Sequence, residues 1–416
     1  MKAPQEQYLE RIKRVEDAIQ LRVPDRVPVF VDFGYLAARY SGMTYEEVCY
    51  DPEKWAKANK KMVLDFQPDI FQFAHPLSVG EALEAIDSKL MKWPGHGVSS
   101  NQSHQYIEGE YMNADEYDAL LKSPGDFIIR TYLPRVAGVF TPLQKLPPLL
   151  SLTGMGRAGG PIALFADPEF VTACGCIYKA GREVQRWENV RMALVEELET
   201  LGFPSNYMTA GMGAPFDFIS DFLRGMRGAM LDMYRQPAKL LDAMERILPF
   251  MIEAITNRAK RTEKNNLVFI ATHRGADGFM SLKQFEIFYW PGLKAVINAV
   301  IDFGFTPYVF WEGDYTSRLR HLLELSKGKV LNRFDKTDMA EAKKVLGKHM
   351  CIAGGIMPGL LQTGTVDETK DQCRKLIETV GRDGGFILST SVVMDEANPE
   401  NVKAMIDSVK EYGIHR

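Results

Sequence analysis

The C-terminal half of the chain repeats one pattern. Short apolar runs alternate with stretches in which apolar residues recur every three or four positions: LVFIATH (267–273) then 282–303, TPYVFW (306–311) then 316–325, KVLNRFD (329–335) then 338–347, HMCIAGG (349–355) then 366–381, and GFILSTS (385–391) then 399–412. The runs predict buried strands and the intervening periods predict amphipathic helices. Five such units in succession require a parallel sheet covered by helices. None opens on a Gly-rich nucleotide turn, which favours a closed (β/α)8 TIM barrel of the α/β class over an open sheet. RVPVFVDF (26–33) and PDIFQFAH (68–75) supply earlier strands of the same kind. Residues 76–165 interrupt the pattern with Pro, Gly and polar residues, and predict an insertion over the barrel mouth within a single domain spanning 1–416.

A barrel of this kind does its chemistry at the C-terminal ends of the strands, so the residues leaving each apolar run are the candidates. They are Asp32, His75, His273, Glu312 with Asp314, Asp335, the pair Gly354 and Gly355, and Ser389 to Ser391. Glu312 and Asp314 stand two apart. On an extended strand end they share a face, where mutual repulsion and burial raise one pKa into the acid-catalyst range. Asp314 is also placed to cap the helical run that begins near Thr316. Alternatively His273, Glu312 and His75 can hold a zinc ion with one position open. Aromatic and sulfur side chains gather near the same strand ends: Phe33, Tyr35, Met212, Phe279, Met280, Trp311 and Tyr315. They suit a flat aromatic substrate and equally suit plain core.

Composition narrows the function classes. A hydrophobic fraction of 46%, a charged fraction of 25% and a net charge of -4 describe an ordinary globular chain without the basic face that nucleic acid demands. No apolar stretch approaches the ~18 residues of a membrane span, and the charged amphipathic start MKAPQEQYLERIKRVEDAIQ is no signal peptide, so the expectation is a cytoplasmic protein. Five scattered cysteines form no CxxC pair and read as reduced thiols. GMGRAG (154–159) matches the dinucleotide pattern GxGxxG, but Gly160 and Pro161 follow in place of a helix start, and no acid sits about 20 residues on. It reads as a loop.

Five segments carry a family resemblance: VPDRVPVF, HRGADGFMSLKQFEIFYWPGLKAVI, FWEGD, IAGGIMPGLLQTGT and GGFILSTSVVMDEANPENVKAMIDSV. Together they resemble the uroporphyrinogen decarboxylase superfamily, which also holds corrinoid-dependent methyltransferases. The resemblance is loose between 100 and 200 and good from 205 onward. It implies the barrel, and it implies either decarboxylation or methyl transfer. The porphyrinogen decarboxylases hold substrate propionates with an Arg-rich segment after the first strand, where this chain has DFGYLAARYSG with Arg39 alone. Their catalytic aspartate falls at His75, and their late histidine at Ser391. The coenzyme M methyltransferases bind zinc through an HxC pair that falls here at Phe310 and Glu312, and through a late cysteine that falls within Ser389 to Ser391.

These departures imply a third branch, which moves a methyl group from a small methylated substrate, expected to be a methoxylated aromatic, to the Co(I) corrinoid of a partner protein. Breaking an ether requires protonating the departing oxygen or holding it with a Lewis acid. His75, His273, Glu312 and Asp314 are the expected catalytic set, with zinc as a candidate cofactor. The corrinoid belongs to the partner, because this chain has no DxHxxG motif, and the superfamily suggests a homodimer. The alternatives are a carboxy-lyase acting on a non-porphyrin carboxylate, supplied with cations by Arg39, Arg224, Arg227 and Arg274, and a non-catalytic binding barrel.

Overall fold

The computed structural model describes residues 2–73, 79–205, 209–210, 213–259 and 267–415. Among them eight parallel strands form one sheet: β1 (Val29–Phe33), β2 (Ile70–Phe73), β3 (Thr209–Ala210), β4 (Leu267–Thr272), β5 (Thr306–Trp311), β6 (Leu331–Phe334), β7 (Cys351–Ile356) and β8 (Phe386–Thr390). The order runs β2, β1, β8, β7, β6, β5, β4, β3. A parallel bridge between Phe71 in β2 and Ser205, just before β3, brings the two ends of the sheet together. The α/β barrel expected from the alternating pattern is the fold of the chain.

Two apolar clusters follow from the period-two alternation of strand side chains. One fills the barrel: Phe30, Ile70, Leu267, Tyr308, Leu331, Cys351, Ala353 and Ile387 meet Val15, Ala18 and Ile19 of the helix Pro4–Ile19. That helix plugs the N-terminal end of the barrel. The other cluster lies between the strands and the surrounding helices, and takes Val29, Val31 and Phe33 of β1 and Val309 and Trp311 of β5. Each large side chain removed from water there contributes about 1.5–3 kcal/mol.

Strand bounds tighten where prolines stand. The run expected over 26–33 forms a strand only from Val29: the Pro28 carbonyl accepts the Leu388 N–H at 2.9 Å, but Pro28 has no N–H of its own to donate. The helix expected over 282–303 is one continuous rod with an internal wide turn: Leu282–Gln284, a π segment Phe285–Tyr289, then Trp290–Asp302. Pro291 cannot donate to the carbonyl four residues before it, and the wide turn absorbs that lost bond. The stretch 316–325 forms a 3-10 helix, Thr316–Glu324, in place of an α-helix.

Within 76–165 the chain forms a short helix, Gly80–Ala85, and a small sheet of Met91–Pro94, Gly97–Val98 and Gln105–Tyr106. Three 3-10 stretches follow later, Gly138–Lys145, Leu149–Arg157 and Gly160–Ala166, the second of which contains most of GMGRAG. A 33-residue helix, Pro168–Thr200, then returns the chain to the barrel, capped by the Asp167 carboxylate on the Glu169 N–H. Residues 103–112 touch the loops that leave three strands. Ser103 donates to Asp395 after β8 at 2.7 Å, Tyr35 after β1 lies 3.4 Å from His104, and the Met112 N–H donates to Leu223 after β3 at 2.7 Å. Among the described residues no helix is long and apolar enough to cross a membrane, and all five cysteines are free thiols.

Candidate active site

β4 delivers His273 to the barrel mouth, on the inward face that also carries Phe269 and Ala271. The chain following β3 supplies its partners. The helix Pro215–Phe218 carries Asp217 toward the end of β4 and runs into a π segment, Ile219–Arg224, which carries Asp221 there. Asp217, only 3% exposed, accepts the backbone N–H of His273 at 3.1 Å and of Arg274 at 2.9 Å, and the hydroxyl of Tyr289. It therefore fixes the turn from which His273 projects. Asp221 holds the side chains: Oδ2 lies 2.5 Å from His273 Nδ1, and Oδ1 takes Arg274 at 3.1 Å. The other ring nitrogen, Nε2, faces Glu312 Oε2 at 3.6 Å.

Three carboxylates thus surround one imidazole and one guanidinium. Burial pushes the Asp217 carboxyl up to about 6, with His273 pulling the other way. Burial works against a charge on His273, but the Asp221 hydrogen bond and the charges of Asp217, Asp221 and Glu312 outweigh it and raise the imidazole to about 9. At neutral pH His273 is an imidazolium with one N–H held by Asp221 and the other directed at the mouth.

Glu312 and Asp314 part company. Gly313 sits at φ 93°, a conformation that suits glycine, and ends the extended alternation that would have put both acids on one face. Glu312 turns to His273 and is half exposed, not buried as the strand pattern suggested. The Asp314 Oδ1 accepts the Thr316 N–H at 2.9 Å and the Thr316 hydroxyl at 2.6 Å, closing the start of the 3-10 helix. The paired-carboxylate expectation is corrected to one acid at the mouth and one turn residue.

The aromatic set divides in the same way. Trp311 and Tyr315 are 0% exposed, Phe33 1% and Met280 4%, and all four sit in the layer between strands and helices. Trp311 points outward because it is one residue out of phase with Phe310 and Glu312, and its Nε1 donates to Asn332 at 3.0 Å. The expectation that these four line a substrate pocket is corrected. Tyr35 stacks on Tyr45 at 4.7 Å near the mouth, and Phe279 lies beneath the Arg274 guanidinium at 5.3 Å. Asp32 points into the barrel and pairs with Arg333 at 3.1 Å. His75 and Met212 lie outside the described residues.

Asp217, Asp221 and Arg333 do not stand where an apolar run ends: the first two lie in the helical segments after β3 and the third inside β6. Arg333 had a signal, since a cation inside the apolar run KVLNRFD demands a buried partner. Asp217 and Asp221 are four apart in an otherwise apolar stretch, a spacing that aligns acids on one helix face.

A zinc ion needs three protein ligands to leave one open position. His273 Nε2 and Glu312 are two donors at the mouth, and Asp221 on Nδ1 is the outer carboxylate that zinc-binding histidines commonly carry. Among the described residues no group of three or more His, Cys, Asp or Glu side chains could hold a metal. The described donor set falls one short of such a site.

The model of the uroporphyrinogen decarboxylase (URO-D) family matches residues 199–412, which contain β3 to β8, Asp217, Asp221, His273 and Glu312. The chain belongs to that family. It is 24% identical over 171 residues to a uroporphyrinogen decarboxylase of Trichodesmium erythraeum (strain IMS101), a stretch that is 41% of this chain and 48% of that one. The chain thus spans about half the length of this curated relative. Among solved structures, a methyltransferase from Methanosarcina mazei superposes at a TM-score of 0.59, covering 96% of this chain and 98% of its own at 15% identity. That likeness is one of fold.

Proposed function

We propose that the protein transfers a methyl group from a small methyl ether to the Co(I) corrinoid of a separate protein docked over the barrel mouth. The observation that carries this reading is the His273 imidazolium, held through Nδ1 by Asp221 with Nε2 directed toward Glu312 and the open mouth. Cobalt attacks the methyl carbon, the carbon–oxygen bond breaks, and its electron pair leaves with the oxygen. Nε2–H gives its proton to that oxygen, so an alcohol departs in place of an alkoxide. Glu312, beside Nε2, relays a proton from solvent to restore the imidazolium. Asp217 and Asp221 act by positioning the ring.

The available cations favour this reading over a carboxy-lyase. Arg39 pairs with Glu396 at 3.4 Å, Arg224 is buried against Asp232 and Glu110, and Arg274 is held by Asp221. A polycarboxylate would have to compete with resident acids for each of these three, and among the described residues only Arg227 of the four cations expected to serve a lyase stands exposed without an acidic partner. An uncharged ether meets no such competition.

The test is an anaerobic assay with cob(I)alamin and aryl methyl ethers, following loss of the Co(I) spectrum and appearance of the demethylated product. His273→Gln is expected to lower kcat by about 10²–10⁴-fold, the range of a lost general acid. Unchanged turnover in His273→Gln, or carbon dioxide release from carboxylated analogues without methyl transfer, would overturn the reading.

A further inference from the structure

An open groove of about 800 Å³ lies beside the barrel mouth. The helix Gly225–Arg235 forms one wall, and Glu108, Gly109, Glu110 and Ala114 of the insertion form the other. Met226 joins the groove to the site: Arg274 Nη1 donates to its sulfur at 3.6 Å, and Arg274 is itself held by Asp221. Gly228 keeps the floor open. A Cβ there would stand 3.2 Å from the guanidinium carbon of Arg224, which lies across the floor.

Every acid lining the groove is engaged. Arg224, 3% exposed, donates through Nε to Asp232 at 2.6 Å and through Nη1 to Glu110. Asp232 also accepts the Tyr117 hydroxyl at 2.9 Å and Gln236 Nε2 at 3.0 Å. Glu108 accepts the Met226 N–H at the start of the helix. Two cations are left over. Arg227 and Arg235 line the same groove and are exposed, and among the described residues neither has an ion pair or a side-chain hydrogen bond. They stand eight positions apart on one helix, about 12 Å along its axis, with Leu231 between them on the same row. Tyr234 on this helix is 73% exposed and Phe222 just before it 44%. Arginine beside exposed aromatic side chains is the composition of protein-binding surfaces.

We propose that the groove receives an extended acidic segment of the protein that docks over the barrel mouth, with two carboxylates meeting Arg227 and Arg235. The identity of that partner rests on the methyl-transfer reading, whereas the groove does not. A chain in extended conformation rises about 3.3 Å per residue, so acids four positions apart span the distance between the two arginines. A compact dicarboxylate is too short to reach both. A partner seated over His273 brings its edge to Met226 and so to the groove.

Fluorescence anisotropy on the full chain tests this with rhodamine-labelled peptides of glycine and serine, at about 10 mM salt to limit screening. One peptide carries two glutamates four positions apart, a second carries them side by side, and a third carries lysines in the first pattern. The spaced acidic peptide is expected to bind about fivefold or more tightly than the adjacent one, and the lysine peptide not at all. Arg227→Gln and Arg235→Gln, both exposed changes that leave the fold intact, should each weaken the spaced peptide about fivefold or more. Equal affinity for spaced and adjacent acids, displacement by glutarate at the peptide's own concentration, indifference to both substitutions, or no binding overturns the proposal. The cob(I)alamin assay separates the two readings. Methyl transfer without peptide binding removes the groove alone, whereas spacing-dependent peptide binding without methyl transfer removes the methyl-transfer reading.

Discussion

The two ends of the barrel use the same kinds of charged residue to opposite effect. At the bottom, Arg14 bridges Asp25 and Asp69, Arg26 grips both oxygens of Asp69 at 2.6 and 2.7 Å, and Asp69 Oδ2 also accepts the Val29 N–H at 2.9 Å. Asp69 is fully buried and its acceptor sites are well used. At the top, among the described residues, Asp217, Asp221 and Glu312 outnumber His273 and Arg274, and Asp32 keeps an oxygen without a donor. A saturated network adds order to the fold, since every charge is fixed by several others. An unsaturated one costs stability and retains the capacity to bind and to move a proton.

The largest effect expected from breaking this contrast is catalytic. His273→Gln should lower kcat by about 10²–10⁴-fold, with its loss of stability confined to the pH range in which the imidazolium is charged. Asp69→Ala should do the reverse, costing about 3–5 kcal/mol in a denaturant titration by leaving Arg14 and Arg26 without their buried partner. Turnover of whatever fraction stays folded should survive. If Asp69→Ala lowered kcat as His273→Gln does, the division between the two ends would fail.

A pH series sharpens the comparison. The folded pKa of His273, about 9, lies above its ordinary value of 6.5. Its contribution to stability is therefore complete below about 6.5 and is lost as pH rises through about 9. Turnover that depends on the imidazolium should fall over the same upper limit. Asp221→Asn should move both transitions toward lower pH, readable by NMR titration of the ring and by the rate profile. A rate profile that keeps its alkaline limit in Asp221→Asn would remove Asp221 from the site.

The smallest effect belongs to Asp314. Its carboxylate closes the turn at Thr316, so Asp314→Ala should cost about 1 kcal/mol in thermal melting, the scale of a lost cap. A drop in kcat matching that of His273→Gln would return Asp314 to the catalytic group.

Much was legible in the sequence because the relevant signals are local. A period of two against a period near 3.6 separates strand from helix within a dozen residues, and repetition of the unit makes a parallel barrel the economical solution. The rule that barrel chemistry lies where strands end then selects His273 and Glu312 without knowledge of their distance. Tertiary structure decided the rest. Asp221 meets His273 across 52 residues of chain and Asp32 meets Arg333 across 301, and no local period encodes such meetings. Which way Trp311 faces depends on strand phase, and whether Asp314 joins Glu312 depends on the positive φ of one glycine, Gly313. Alternation along the chain determined which elements form and which ends to inspect. Only packing in three dimensions decided which charges neutralise one another and which remain available for chemistry, because Coulomb and hydrogen-bond energies depend on separation in space and not along the chain.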